Sequence, residues 1–400
     1  MSKTATADNA TTADSTTTPS SVAPTAADRG VPWYVWAVVF ASTSVVVGGI
    51  WDISWHRTIG RDTFWTSAHM AIYLGGAAAG LSCGWLVLRT TFAAVAAGDR
   101  AAGVTFWGFR GPLGAWVCIW GALAMIVSGP FDDWWHNTYG LDVEILSPPH
   151  TVLAAGIVAI QIGAMLMVLS RQNNSGAHSR LAQLLFVYAG GVLIVAMATV
   201  AIEYVGFPND QRNAEFYVVS AGIFPLFFVG ISRASLSRWG ATGAAAAYMA
   251  LTLLMIWILQ LFSAEPLLGP ILRSVESMIP PPFPLLLVVP ALAVDLLMRT
   301  LPAQGSPVRP WVTAGALGLG FVAALLAVQW YFSAFLLGEG ARNFFFGADQ
   351  WDYTSRAGPW QYEFWGPTVQ ASELVWAALI GFASARLGLW WGGWMSRVRR

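Results

Sequence analysis

Ten stretches of this chain are each long and apolar enough to cross a lipid bilayer, and little other architecture can accommodate them. They run roughly over 33–51, 68–88, 112–130, 149–170, 182–202, 216–232, 241–262, 284–298, 311–337 and 367–390. A helical span needs about 20 mainly apolar residues. Inside hydrocarbon every backbone N–H and C=O must be paired, and a helix does this within one segment. The expected fold is therefore all-α: a polytopic bundle of about ten transmembrane helices in a lipid bilayer. The stretch at 284–298 is the shortest and is flanked by proline. Charged residues make up only 10% of the chain, against about a quarter in soluble domains. The formal net charge is zero, so nothing points to nucleic acid.

Orientation follows from the cations. With ten spans and the N-terminus in the cytoplasm, 14 Lys and Arg fall in cytoplasmic segments and six in the opposite loops, with Arg386 inside the last span. Short loops rich in Lys and Arg stay inside, so both termini are expected in the cytoplasm of a cell whose plasma (inner) membrane the protein spans. Residues 1–30 are a Ser/Thr/Ala/Asp mixture without an apolar run, and read as a disordered tail rather than a signal peptide. Residues 31–170 hold the chemistry described next, and 171–400 form the remaining bundle. Its outer segment 338–366 is dense in Phe, Trp and Tyr. That density fits an interfacial anchor, or a lid over a site. Cys83 and Cys118 lie in apolar runs and read as core residues.

One motif occurs twice. Gly49, Asp52, Trp55, His56, Thr58, Gly60 and Asp62 recur 80 residues later as Gly129, Asp132, Trp135, His136, Thr138, Gly140 and Asp142, seven identities in 14 positions. About one would be expected from average composition. His69 matches His150 with one residue of offset. Both copies close one span and open the next on the same side, as in parallel repeats related by an axis along the membrane normal.

Four of the five histidines belong to this repeat; His178, in a polar loop, reads as a solvated bystander. Asp52 and His56, like Asp132 and His136, are four apart and share a helix face. A hairpin brings His69 or His150 beside each pair. The expectation is a carboxylate and two imidazoles in each copy, on the non-cytoplasmic side, with Asp133 as an alternative carboxylate in the second. Such pairs also occur as ion pairs that shape a helix end. Nearly all the histidine gathered into two matched triads favours metal, and three ligands leave an open position, as at catalytic sites. Asp62 and Asp142 read as turn or N-cap residues, and Glu203 as a solvated loop acid. Each hairpin could hold its own ion, or the two triads could share a dinuclear centre.

The pattern Asp52-x3-His56-x12-His69, with Asp132, His136 and His150 as a second copy one residue longer, resembles the copper-ligand pattern in the C subunit of the particulate methane and ammonia monooxygenases. The resemblance covers about 20 residues in the first copy and, with a one-residue insertion, Asp132, His136 and His150 in the second, and implies copper at Asp52, His56 and His69. Nitrogen and carboxylate ligands equally suit iron or zinc.

Three functions follow as expectations. The first is a copper- or iron-dependent membrane oxidoreductase, monooxygenase-like, with an electron donor or other membrane subunits as partners. The second is a metal-holding scaffold of a larger membrane complex. The third is a metal permease, which the scarcity of ionisable residues inside the spans disfavours. No phosphate-cradling glycine loop, nucleophile elbow or haem-attachment motif occurs in the sequence.

Overall fold

A computed structural model describes residues 30–60, 64–93, 103–140, 147–175, 179–265, 275–301, 308–347 and 367–399. The expected tail, Asp62, Asp142, His178 and most of the aromatic outer segment lie outside the described residues. Eleven helices follow in order: α1 (Trp33–Thr58), α2 (Ser67–Phe92), α3 (Leu113–Tyr139), α4 (Pro148–Ser175), α5 (Arg180–Val200), the short α6 (Ile202–Val205), α7 (Ala214–Ala234), α8 (Gly240–Leu259), α9 (Val288–Thr300), α10 (Arg309–Leu337) and α11 (Ala371–Met395). A small antiparallel ribbon, β1 (Val104–Phe106) and β2 (Phe109–Gly111), joins α2 to α3.

Nine of these helices are long and apolar enough to span a membrane. Their outer faces expose Leu81, Ile126, Val127 and Tyr331, an apolar coat that suits acyl chains rather than water. Both ends of the described chain meet at one end of the bundle, here the proximal end. There Asn173, at the C-terminus of α4, donates to the carbonyls of Met395 and Val398, while Arg171 donates to that of Gly30. The α1–α2 and α3–α4 connections lie at the other, distal end.

The eighth crossing is helical close to the expected 284–298, with a 3-10 turn over Leu285–Leu287 leading directly into α9, but it is too short to span a bilayer by itself. Only 13 residues form α9, about 20 Å at 1.5 Å per residue. Before the Leu285–Leu287 turn the crossing is a non-helical strap containing Pro280, Pro281, Pro282 and Pro284, all buried. Contacts mark its path. Ile279 bonds Ser54 and Thr58 near the distal end of α1, and Asp295 of α9 caps the proximal end of α8. Non-helical backbone survives at membrane depth only when protein surrounds it. Proline suits such a strap because it has no N–H to leave unpaired. Ten crossings therefore remain, nine helical and one composite.

Small residues set the closest helix approaches. A Cβ added to Gly75 of α2 would lie 2.8 Å from the Ala41 carbonyl oxygen of α1. One added to Gly156 of α4 would lie 2.8 Å from the Gly121 carbonyl oxygen of α3. Such contact replaces hydrophobic drive, which lipid cannot supply between helices. In α7, Pro225 interrupts the hydrogen-bond ladder, and Ser384 of α11 bridges the gap by accepting from Leu226 N at 2.9 Å and donating to Gly222 O at 2.8 Å.

Candidate metal centre

Each hairpin gathers one carboxylate and two imidazoles at the distal end. In the second, Asp132 Oδ1 lies 3.4 Å from His136 Nε2 and 3.5 Å from His150 Nε2. One ligand atom from each of the three falls within 4.8 Å of the others, a spacing that a single ion can bridge. The first hairpin is less closed. Asp52 Oδ1 stands 3.2 Å from His69 Nε2, but His56 Nε2 is 3.8 Å from Asp52 Oδ2 and its side chain is half exposed. Only the second triad meets the single-ion spacing among the described residues.

Local structure explains the convergence. α1 and α3 continue past their apolar runs, so Asp52 and His56, and Asp132 and His136, ride one helical face near the C-terminus. Each of these helices then stops at a glycine with positive φ, Gly60 at 96° and Gly140 at 89°, a conformation that penalises side chains. The next helix begins just after a hydroxyl residue. Thr66 caps α2 by accepting from His69 N, and Ser147 precedes α4 with its carbonyl accepting from Thr151 N. Thr66 and Ser147 thus place His69 and His150 in the same turn of their helices. Sequence reasoning missed this pair, although a hydroxyl residue three positions before each histidine was there to be read. Thr66 caps with its side chain, whereas Ser147 Oγ makes no hydrogen bond among the described residues.

Electrostatics argue for a cation between the groups. The buried Oδ1 atoms of both Asp52 and Asp132 accept no hydrogen bond of acceptable geometry, and an orphaned carboxylate oxygen is costly. His136 Nδ1 lies 3.2 Å from the Gly140 carbonyl oxygen. A carbonyl only accepts, so Nδ1 carries the proton in that bond. In neutral His136 the Nε2 lone pair then faces the Asp132 carboxylate. That arrangement is repulsive unless a metal ion lies between them or Nε2 itself carries a proton. A ring N–H held by a backbone carbonyl is also the usual second contact of a metal-bound histidine.

Other expected residues sit elsewhere. Asp133 is exposed and accepts from Asn137 Nδ2 at 3.3 Å on its own helix, so the carboxylate turned toward the imidazoles is that of Asp132. Glu203 is exposed on α6. The described start of the aromatic segment docks on α8 and α10. Trp257 Nε1 donates to Phe345 O at 2.9 Å, and Phe346 packs against Phe332 and Phe335. Aromatic rings line the second triad's helix, with Trp135 and Tyr139 centroids 4.5 Å apart. Cys83 and Cys118 are buried free thiols, in line with core packing.

No family model, curated protein or solved structure matches the chain.

Proposed function

We propose that this membrane protein is a metalloprotein holding copper in its Asp/His/His hairpins and acting as a monooxygenase-like oxidoreductase subunit. The observation that carries the metal reading is the Asp132, His136 and His150 cluster, with ligand atoms within 4.8 Å of one another around a carboxylate oxygen that lacks a hydrogen bond. Two nitrogens and one oxygen suit copper, and iron or zinc would accept the same donors. Bound copper or iron would supply electron exchange and O2 activation. The protein's own part is to orient two imidazoles, provide one negative charge and leave a position open.

Duplication supports the reading. The glycine approaches of the two hairpins coincide in register: Ala41 pairs with Gly121 at the motif's 80-residue offset, and Gly75 with Gly156 at the 81-residue offset of the histidines. Ligands and packing therefore repeat together. The cation count supports a non-cytoplasmic location for the distal end, and with it both triads. There the centre would meet O2 and small apolar substrates concentrated in lipid. Electrons would come from a partner subunit or donor.

Metal analysis and electron paramagnetic resonance of the purified protein test this. Copper that disappears in the His136→Ala/His150→Ala variant is expected. Full metal content in that variant, or only redox-inert metal in the wild type, would overturn the oxidoreductase reading.

A metal permease is the second reading, favoured by one feature. The composite eighth crossing has the discontinuous form found at transporter binding sites. Metal uptake by proteoliposomes would establish it in place of the first.

A further inference from the structure

A concave basic cleft of about 380 Å3 opens at the proximal end, the far side of the bundle from both triads. Its walls include Arg233 at the end of α7, Arg238 in the following turn, and Asp295 and Arg299 on α9. Arg233 is partly buried and lies over Gly393 of α11, with guanidinium atoms 3.3–3.5 Å from the position a Cβ would take there. Arg386 and Arg397 lie within electrostatic range of it. Arg299 is held in place. Its guanidinium sits 3.5 Å over the Trp239 ring and donates to the Arg238 carbonyl oxygen.

The one carboxylate lining the cleft is already engaged. Asp295 Oδ1 accepts from Ser232 Oγ at 2.6 Å and Ala241 N at 3.2 Å. Its Oδ2 accepts from Thr242 N at 2.8 Å and Thr242 Oγ1 at 2.7 Å. Those four bonds anchor α8 and fill the lone pairs of the carboxylate. Three guanidinium groups against one carboxylate leave the cleft strongly positive. A general excess of arginine at one membrane face would scatter these side chains over the loops. Here Arg233, Arg238 and Arg299 line one concavity, beside the ends of the membrane-length helices α7 and α8. A guanidinium fork matches the paired oxygens of a phosphate, and basic pockets between helix ends are suited to anionic headgroups. The volume fits a phosphate and its near substituents.

We propose that this cleft binds a phosphate group, supplied by the headgroup of an anionic phospholipid. It stands independently of the metal reading, since none of its residues belongs to the triads.

Thermal unfolding of the whole protein in a non-ionic detergent provides the test, with short-chain phosphatidylglycerol, short-chain phosphatidylcholine and inorganic phosphate as separate probes. Phosphatidylglycerol should raise the melting temperature and phosphatidylcholine should not. Arg238→Gln, at an exposed side chain, and Arg299→Gln should each raise the half-saturating phosphatidylglycerol concentration about fivefold. Arg342→Gln at the distal end should leave it unchanged. An equal response to inorganic phosphate, lost in the same variants, would keep the phosphate site and overturn the lipid source. Equal stabilisation by phosphatidylcholine, or a phosphatidylglycerol response that survives Arg238→Gln/Arg299→Gln, would overturn the site.

Discussion

Ser54 donates its hydroxyl hydrogen to the carbonyl oxygen of Ile279 at 2.7 Å, across 225 positions of sequence. One turn later, Thr58 Oγ1 accepts from Ile279 N at 2.8 Å while donating to Ser54 O at 2.7 Å. The two hydroxyls thus satisfy both backbone groups of one residue in the buried proline strap. They stand two residues beyond Asp52 and His56, so the strap braces the helix that carries the first triad.

Removing that brace should cost stability first. Ser54→Ala with Thr58→Val leaves the Ile279 N–H and C=O without partners in a dry interior. Each orphaned group costs about 1–3 kcal/mol, so the double variant should melt several degrees below the wild type. Ser44→Ala, whose hydroxyl bonds the Ala71 carbonyl of the adjacent helix, should cost less, because that carbonyl keeps its own helical hydrogen bond. Equal melting temperatures for the brace variant and the wild type would disprove the brace.

The two hairpins should differ in metal affinity. The second holds its ligands within single-ion spacing, whereas His56 must swing inward to join Asp52 and His69. Ordering an exposed side chain costs up to about 1.5–2 kcal/mol. Titration with copper should therefore fill the second site first, about tenfold more tightly. His136→Ala should remove the tight phase, and His56→Ala the weak one. A tight phase that persists in His136→Ala would reverse the assignment.

Glycine at the helix crossings should be irreplaceable. Gly156→Ala places a methyl 2.8 Å from Gly121 O and 2.9 Å from Met125 Cγ, so α3 and α4 must part. Overpacking of this kind costs about 1–3 kcal/mol. It should also loosen metal, because His150 lies on α4 and Asp132 on α3. Gly49→Ala, where an added Cβ meets nothing within 4 Å, should be silent in both assays.

Acidity supplies a further check in the loop between α6 and α7. Burial raises the Asp210 carboxyl above its usual range, against the bond from Asn209 Nδ2 and with a smaller push from Glu215. A carboxyl raised in the folded state disfavours folding once ionised, so its penalty is present above the folded value. The penalty is relieved as pH falls toward the unfolded value of about 3.9. Asp210→Asn should raise the melting temperature slightly at neutral pH, and the gain should fade on acidification. A gain independent of pH would rule out the carboxylate as its source.

The helical spans were legible because lipid imposes one simple demand, backbone self-pairing over a fixed thickness. The triads were legible in part. A spacing of four on a helix states which side chains share a face, and a repeated histidine at the next helix start states what a hairpin will bring near. What spacing does not encode is rotamer and approach. Asp132 rather than Asp133 faces the imidazoles, and His56 stays outward while His136 turns in. Those outcomes depend on packing from the neighbouring helix.

The eighth crossing shows the same division. Hydropathy registers an apolar stretch near 284–298, since burial in lipid and burial in protein reward the same side chains. Whether the residues leading into that stretch extend its helix depends on what surrounds them. Ser54, Thr58 and Tyr248 pair with carbonyl and amide groups of the strap, and they come from helices more than 30 residues away in sequence. Composition and hydropathy thus identify this chain as a membrane bundle, and residue spacing points to its two Asp/His/His motifs. Sequence already marks 284–298 as the weakest crossing; long-range contacts decide how it is completed, which triad closes, and which carboxylate each histidine meets, because each of those outcomes is a balance of hydrogen bonds between segments distant along the chain.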